Sequence, residues 1–165
     1  WAALETRHAA MESARATTST VWMSELHEYG SAEMLAAMTF LRAWQRAHPA
    51  DFTKRYKDLL LNQGSAAEAD TLQRLESSRR LVGKFFANLK FLSDEKIANA
   101  KFIRTYWMGT YSFLVDVLAP MEEAKADFLL ESGATQTWES QRARNTRQET
   151  LLFYTKLIGP EARTP

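Results

Sequence analysis

The stretch AAEADTLQRLESSRRLVGKFFANLKFL, residues 66–92, decides the fold class of this chain. Leu75, Val82 and Leu89 stand seven residues apart, which is the spacing of one face of a helix that packs against another helix. Further apolar residues widen this stripe, namely Leu72, Phe85, Phe86 and Leu92. The stretch therefore predicts a long amphipathic helix at the centre of a helical bundle.

A second long helix is expected over residues 95–118. The polar stretch SDEK separates it from the first helix. Pro120 is expected to end it, because proline has no amide hydrogen and its ring obstructs the preceding turn. We expect residues 66–92 and 95–118 to form a long helical hairpin at the centre of the molecule.

The middle of this second helix, YWMGTYSFLV at Tyr106–Val115, carries no charged residue. The uncharged run that contains it, residues 105–115, is eleven residues long. A membrane-spanning helix needs about 20 apolar residues, so this run predicts a buried core helix. Its aromatic side chains are interpreted as core packing and not as a cofactor site. Gly109 predicts the close approach of a neighbouring helix.

The remainder of the chain also predicts helices. The 165 residues include only six glycines and four prolines, and no stretch shows the alternation of a strand. We expect an all-α, mostly antiparallel bundle of about six or seven helices in a single domain, residues 1–165. Residues 1–30 are expected to form a juxtamembrane helix or an entry helix of the domain. We expect an acidic helix over 121–131, a final helix over 136–157 and a frayed tail over 158–165.

Several kinds of catalytic site lack their residues in this sequence. The chain has no cysteine, no Gly-x-Ser-x-Gly elbow and no glycine-rich phosphate loop. The Glu-x-x-His pattern of di-iron bundles occurs once, at Glu5 and His8, where such a centre requires two copies. Glu122 and Glu123 are neighbours on a helix and point in different directions. We therefore expect no enzymatic activity, no cofactor and no metal site.

The charge of the chain is balanced overall, with a formal net charge of +1, but it is unevenly distributed. Residues 74–104 hold eight basic residues against three acidic ones, and residues 116–131 hold five acidic residues against one lysine. The basic stretch could bind the phosphates of nucleic acid or lipid headgroups, and it could equally be a solvated flank. It could also pair with the acidic helix of the same chain or of another subunit. The candidate anion-binding residues are Arg79, Arg80, Lys84 and Lys90.

Asp116 borders the most apolar run of the sequence. A carboxylate in that position, if buried, needs a cationic partner or backbone donors. We expect a buried ion pair between Asp116 and an arginine.

Two parts of the chain resemble a bacterial family of uncharacterised, usually membrane-tethered helical domains. TSTVWMSELHEYGSAEMLAAMTFLRAW (residues 18–44) is similar to the leading segment of that family, and FANLKFLSDEKI followed by YWMGTYSFLVDVL is similar to its second half. The resemblance covers residues 15–130. It implies a membrane helix upstream of Trp1, and this expectation agrees with a sequence that begins with tryptophan and not with methionine. The arginines of the final helix, Arg142, Arg144 and Arg147, fall outside it.

These observations favour a non-enzymatic interaction, scaffolding or sensing module whose partner is another protein or a second copy of itself. The resemblance places it at the cytoplasmic face of a membrane; the alternative is a soluble cytoplasmic protein. The second hypothesis is a domain that binds an anionic ligand, nucleic acid or lipid headgroups, through the basic residues of 74–104. The two differ in salt dependence, because phosphate binding weakens steeply as salt rises.

Overall fold

The computed structural model confirms the all-α fold. It describes residues 2–62, 64–97, 99–132 and 138–159. Most residues of these four ranges are helical, and no strand occurs in them. The helices are α1 (Ala2–Tyr29), α2 (Ala32–Ala47), α3 (Phe52–Leu61), α4 (Ala66–Asp94), α5 (Ala100–Trp107), the single turn α6 (Tyr111–Phe113), α7 (Ala119–Glu131) and α8 (Trp138–Ile158).

Helix α4 is the centre of the bundle, as its sequence predicts. All three residues of its seven-residue repeat, Leu75, Val82 and Leu89, are completely buried. It packs most extensively against α2, and also contacts α8 and α3. Met34 and Leu41 of α2 are likewise buried. The main neighbour of α4 is therefore α2. The sequence predicted instead that α4 pairs with the segment that follows α4 in the chain.

The turn after α4 lies further along the chain than expected. Helix α4 continues through Asp94, and the next helix begins at Ala100, so Glu95, Lys96 and Ile97 are not the first turn of a helix. Lys96 adopts a left-handed conformation with φ of 58°. Its amide bonds to the Ser93 carbonyl, and the Ile97 amide bonds to the Leu92 carbonyl. These two bonds form the motif that commonly closes a helix, with lysine in the position that glycine usually occupies.

The aromatic segment is a core element, but it is not one regular helix. Trp107 and Phe113 are buried, whereas Tyr106 is 52% exposed. Residues 108–110 form a 3₁₀ turn and residues 114–118 a π-helical turn. Gly109 has open space around it, so the prediction that it allows a close helix contact is wrong.

Pro120 does not end the helical path, contrary to the sequence prediction. It lies in the first turn of α7, directly after the π-helical turn. The amide of Ala119 bonds to the carbonyl of Leu114, five residues earlier. A proline ring in a regular helix would meet the carbonyl four residues earlier, that of Asp116. The wider turn displaces this carbonyl and admits the proline.

The first turns of α2 and α3 are stabilised in different ways. Ser31 caps α2, since its hydroxyl accepts a hydrogen bond from the Met34 amide at 3.2 Å. Asp51 makes no such bond before α3, and its carboxylate instead pairs with Arg55 at 2.9 Å. Of the helices that the structure describes, none is both long and apolar enough to cross a membrane.

Candidate functional site

A cluster of charged side chains lies in the interior where α3, α4 and α7 meet. It consists of Tyr56 from α3, Glu76 and Arg79 from α4, and Glu122 and Lys125 from α7, and we call it the charged cluster. Tyr56 is completely buried, and only 6% of the Arg79 side chain is exposed. Burial of this degree requires that charges be paired. The cluster is therefore the candidate functional site.

Arg79 joins two carboxylates. Its Nη1 lies 2.5 Å from Oε1 of Glu122, and its Nε lies 3.1 Å from Oε1 of Glu76. A second donor, Nη2, reaches Oε2 of Glu76 at 3.3 Å. Burial opposes the charge of Arg79, but the Glu122 carboxylate overcomes this effect and raises the arginine pKa. Arg79 is therefore a permanent cation that holds α4 to α7.

Glu76 is surrounded by donors from three helices. In addition to Arg79, its Oε2 lies 3.2 Å from Nη2 of Arg80 and 3.3 Å from Nζ of Lys125, and its Oε1 accepts a hydrogen bond from the Tyr56 hydroxyl. Burial alone would raise the pKa of Glu76, but the hydrogen bonds from Arg79 and Tyr56 and the nearby positive charges lower it to about 2. The carboxylate is ionised at every physiological pH.

Tyr56 is held in the opposite protonation state. Burial raises the pKa of its phenol well above the usual value, and the bond to Glu76 contributes to this shift. The hydroxyl stays protonated and donates a hydrogen bond to Glu76. The charged cluster thus contains fixed charges and a fixed donor, whereas acid–base catalysis uses a group that titrates near the working pH. It is built to hold three helices together.

The four candidate anion-binding residues do not share a surface. Arg79 lies inside the charged cluster, and Lys90 is paired with Asp94 at 2.5 Å on its own helix. Arg80 is 71% exposed in its side chain but contacts Glu76, and Lys84 is exposed. The predicted basic face is therefore divided, and three of its four members pair with carboxylates.

The sequence left open whether the basic and acidic segments pair within one chain. The structure shows such a pair between Arg79 and Glu122. The acidic helix also pairs with α3, where Lys57 lies 2.9 Å from Glu131. The Glu122 side chain is 12% exposed and pairs with Arg79, whereas Glu123 is exposed. The two adjacent glutamates therefore differ in burial, as expected from neighbouring positions on a helix.

The buried ion pair predicted at Asp116 is found at the surface instead. Its Oδ2 lies 3.8 Å from Nη1 of Arg42, and its side chain is 54% exposed. Arg42 also donates to the Ser112 hydroxyl at 3.2 Å and lies over the Phe113 ring. The π-helical turn contributes to this outcome, because it changes which residues of 114–118 face the core.

A cleft of about 370 Å³ lies between α7 and α8, beside the charged cluster. Its polar lining residues are Glu122, Glu123, Asp127 and Gln148, and alanines and Leu151 complete it. Across the ranges that the structure covers, no group of three or more histidine, cysteine, aspartate or glutamate side chains is placed so that it could hold a metal ion.

Some predicted residues lie outside the described part of the molecule. They include Trp1, the side chains of Glu5 and His8, those of Arg142, Arg144 and Arg147, and the tail from residue 160.

The charged cluster contains residues that sequence reasoning missed. Glu76 and Lys125 received no role, and Arg79 was placed on a basic surface. A signal was present, because Arg79 stands four residues after Leu75 and three before Val82, both of which are buried. A charged residue in that register of a packing stripe predicts a buried ion pair.

The chain was compared with family models, curated proteins and solved structures. No family model, no curated protein and no solved structure matches it. Its function must therefore be inferred from its own residues.

Proposed function

We propose that this protein is a non-enzymatic helical interaction module that assembles with a second copy of itself through the first part of α1. The observation that carries the proposal is the exposure of this part. Residues 9–13 are all exposed, and five consecutive residues of a helix cover its whole circumference. Every face of α1 is accessible there. By contrast Trp22, nearer the end of the same helix, is buried.

The exposed part of α1 has the composition of a helix that packs against another helix. Ala9, Ala10 and Ala16 are exposed and small, which permits close approach of a partner. Met11 is 48% exposed and offers an adaptable apolar side chain. A helix exposed on all sides is only marginally stable in water, so burial against a partner would stabilise it.

A second copy is favoured over a strongly charged partner. The whole chain has a net charge of +1, and residues 2–20 carry two glutamates and two arginines. A segment in which acidic and basic residues balance is not steered toward nucleic acid or an anionic membrane. Such a segment can pair with an identical one, because its acidic residues can contact the basic residues of the second copy, and its basic residues the acidic ones.

Light scattering coupled to size-exclusion chromatography of the whole chain tests the proposal. We expect an oligomer that dissociates on dilution, and we expect Met11→Glu to shift it to the monomer. Leu152→Glu is the matched control, since Leu152 is an exposed leucine of α8. A wild-type protein that stays monomeric at the highest attainable concentration overturns the proposal, as does equal loss of the oligomer in both variants.

The alternative function, anion binding, rests on Arg80 and Lys84. They are exposed and four residues apart on α4, and so lie on one face. Two cations predict weak binding that salt abolishes readily. Binding of a labelled oligonucleotide or of vesicles with anionic lipid, compared between the parent and Arg80→Gln/Lys84→Gln, tests this alternative.

The membrane tether and the cytoplasmic-face location complete the proposal. They are supported by the resemblance of residues 18–44 and 86–118 to a tethered family. Fractionation of cells that express the gene from its own start codon tests them: recovery in the membrane pellet supports the tether, and recovery in the soluble fraction contradicts it.

A further inference from the structure

The last turns of α1 are held against the bundle by aromatic side chains. Trp22 stacks on Trp107 with ring centroids 6.0 Å apart, and Tyr29 meets the same indole edge-on at 5.7 Å. The Tyr29 ring also lies 5.4 Å from that of Phe85 in α4. We call Trp22, Glu25, Tyr29, Phe85 and Trp107 the α1 seam.

Glu25 belongs to this seam by its position. It follows Trp22 by three residues and precedes Tyr29 by four, so the three side chains share one face of α1. Its Oε2 is buried, as is Nε1 of Trp107, and within the described ranges neither atom has a hydrogen-bond partner. Buried polar atoms without hydrogen bonds destabilise the arrangement that buries them. The seam therefore combines strong aromatic packing with a polar defect.

The defect is worse when Glu25 is ionised. Burial raises the pKa of Glu25, and the negative charge of Glu28 on the same helix raises it further. Across the seam, Tyr154 of α8 is the titratable group that senses Glu25. Burial raises the Tyr154 pKa, and the charge of Glu25 adds to this effect.

The other charged groups on the surrounding helices do not form a hydrogen bond with the buried oxygen. Helix α5 carries the half-buried Arg104 one turn before Trp107, α4 carries the exposed Lys84 beside Phe85, and α2 carries the exposed Glu33. The Tyr154 hydroxyl donates a hydrogen bond to the Phe86 carbonyl at 2.9 Å, so it does not donate one to Glu25.

We propose that α1 is a pH-responsive strap. While Glu25 is neutral, the α1 seam stays closed; when Glu25 loses its proton, α1 separates from the bundle more often. The closed state binds the proton more tightly than the open state, so closure strengthens as pH falls and weakens as pH rises. Opening uncovers Trp22 and Tyr29 and extends the exposed part of α1 by two turns. This inference concerns how α1 is held, and it does not depend on what α1 binds.

Hydrogen–deuterium exchange of the whole chain tests the strap. Protection factors, corrected for the intrinsic pH dependence of exchange, are compared between residues 21–29 and the core residues 72–89 at pH 4.5, the ordinary glutamate value, and at about pH 8. In the wild type we expect the protection of residues 21–29 to fall about tenfold relative to the core as pH rises. In Glu25→Gln we expect no such fall.

Glu28→Gln is the matched control, because Glu28 is a half-buried glutamate of the same helix that lies outside the seam. This variant should retain most of the pH dependence. Protection in the wild type that does not change with pH, or that changes equally in Glu25→Gln, overturns the strap. A parallel loss of protection in residues 72–89 overturns it as well, because opening would then be global and not confined to α1.

Discussion

The charged cluster and the α1 seam each bury a carboxylate, with opposite results. In the charged cluster Glu76 accepts hydrogen bonds from Tyr56 and Arg79 and contacts Lys125, and its pKa falls to about 2. In the α1 seam the buried oxygen of Glu25 has no hydrogen-bond partner among the described residues, and its pKa rises. Both carboxylates experience desolvation, so the difference arises from the donors around them.

This comparison separates the fixed part of the molecule from the movable part. Ion pairs and hydrogen bonds tie α3, α4 and α7 together at the charged cluster. Helix α1 is attached by aromatic contacts that include a polar defect. Elements that move in regulation come from the less stable parts of a fold, and α1 has this character.

The largest expected effect is at Arg79. Arg79→Met leaves Glu76 and Glu122 buried without their shared cation, and we expect a loss of about 3–5 kcal/mol of unfolding free energy. Arg80→Met is the control, because Arg80 touches the same carboxylate from an exposed position and should cost at most about 1 kcal/mol. Urea unfolding measures both. Equal losses of unfolding free energy in the two variants would show that the burial of Arg79 does not strengthen its ion pairs.

Acid should weaken the charged cluster through Glu76. Its folded pKa lies below the ordinary value of 4.5, so its stabilisation is complete above pH 4.5 and is lost as pH falls toward 2. We expect the stability difference between wild type and Glu76→Gln to shrink by about 3 kcal/mol over that interval. Unfolding curves of both proteins across this range measure it. A difference that stays constant would contradict the low pKa.

Removing one hydroxyl from each region sharpens the contrast. Tyr56→Phe deletes a hydrogen bond to an ionised carboxylate and should cost about 2 kcal/mol. Tyr29→Phe keeps the ring contacts of the α1 seam and should change stability by less than about 0.5 kcal/mol. Thermal unfolding of the two variants provides the measurement. A larger effect at Tyr29 would reverse the assignment of polar and aromatic roles.

Glu25→Gln should raise stability, whereas most substitutions lower it. The folded pKa of Glu25 lies above 4.5, so ionisation destabilises the folded state as pH rises through that raised value. We expect a gain of about 1 kcal/mol at neutral pH and little gain at pH 4.5, the ordinary value of the carboxyl. Melting temperatures at the two pH values provide the readout. A loss of stability at neutral pH would show that the carboxylate has a partner that stabilises it.

The smallest effect is expected at the surface pair of Arg42 and Asp116. Asp116→Asn should change the unfolding free energy by less than about 0.5 kcal/mol, because exposed ion pairs contribute little. The effect should disappear in high salt. A cost comparable to that of Arg79→Met would mean that Asp116 is buried, as the sequence first suggested.

The sequence predicted the helices well because apolar spacing reports directly on packing. The buried stripe of α4 is a local feature that needs no knowledge of the partner helix. The end of α4 was placed too early, since Lys96 occupies a left-handed position for which the sequence offers no glycine. The course of the chain through Pro120 was also missed, because the π-helical turn that admits the proline requires tertiary packing to support it.

The charged cluster was harder to predict because it depends on contacts between distant residues. Glu122 lies 43 residues after Arg79, and nothing local links them. The count of charges over residues 74–104 treated residues that face the interior and residues that face solvent as one group. The register of Arg79 between Leu75 and Val82 was the available clue, and it identifies a buried cation without identifying its partner.

The π-helical turn at residues 114–118 also acts as a phase shift in the chain. A regular α-helix advances by about 100° per residue, and the wider turn inserts one extra step before α7. If residues 114–118 were wound as a regular α-helix with no residue removed, everything that follows would be rotated by about the same angle. Glu122 and Glu131 would then turn away from Arg79 and Lys57. These two ion pairs therefore depend on the π-helical turn as much as on the side chains that form them.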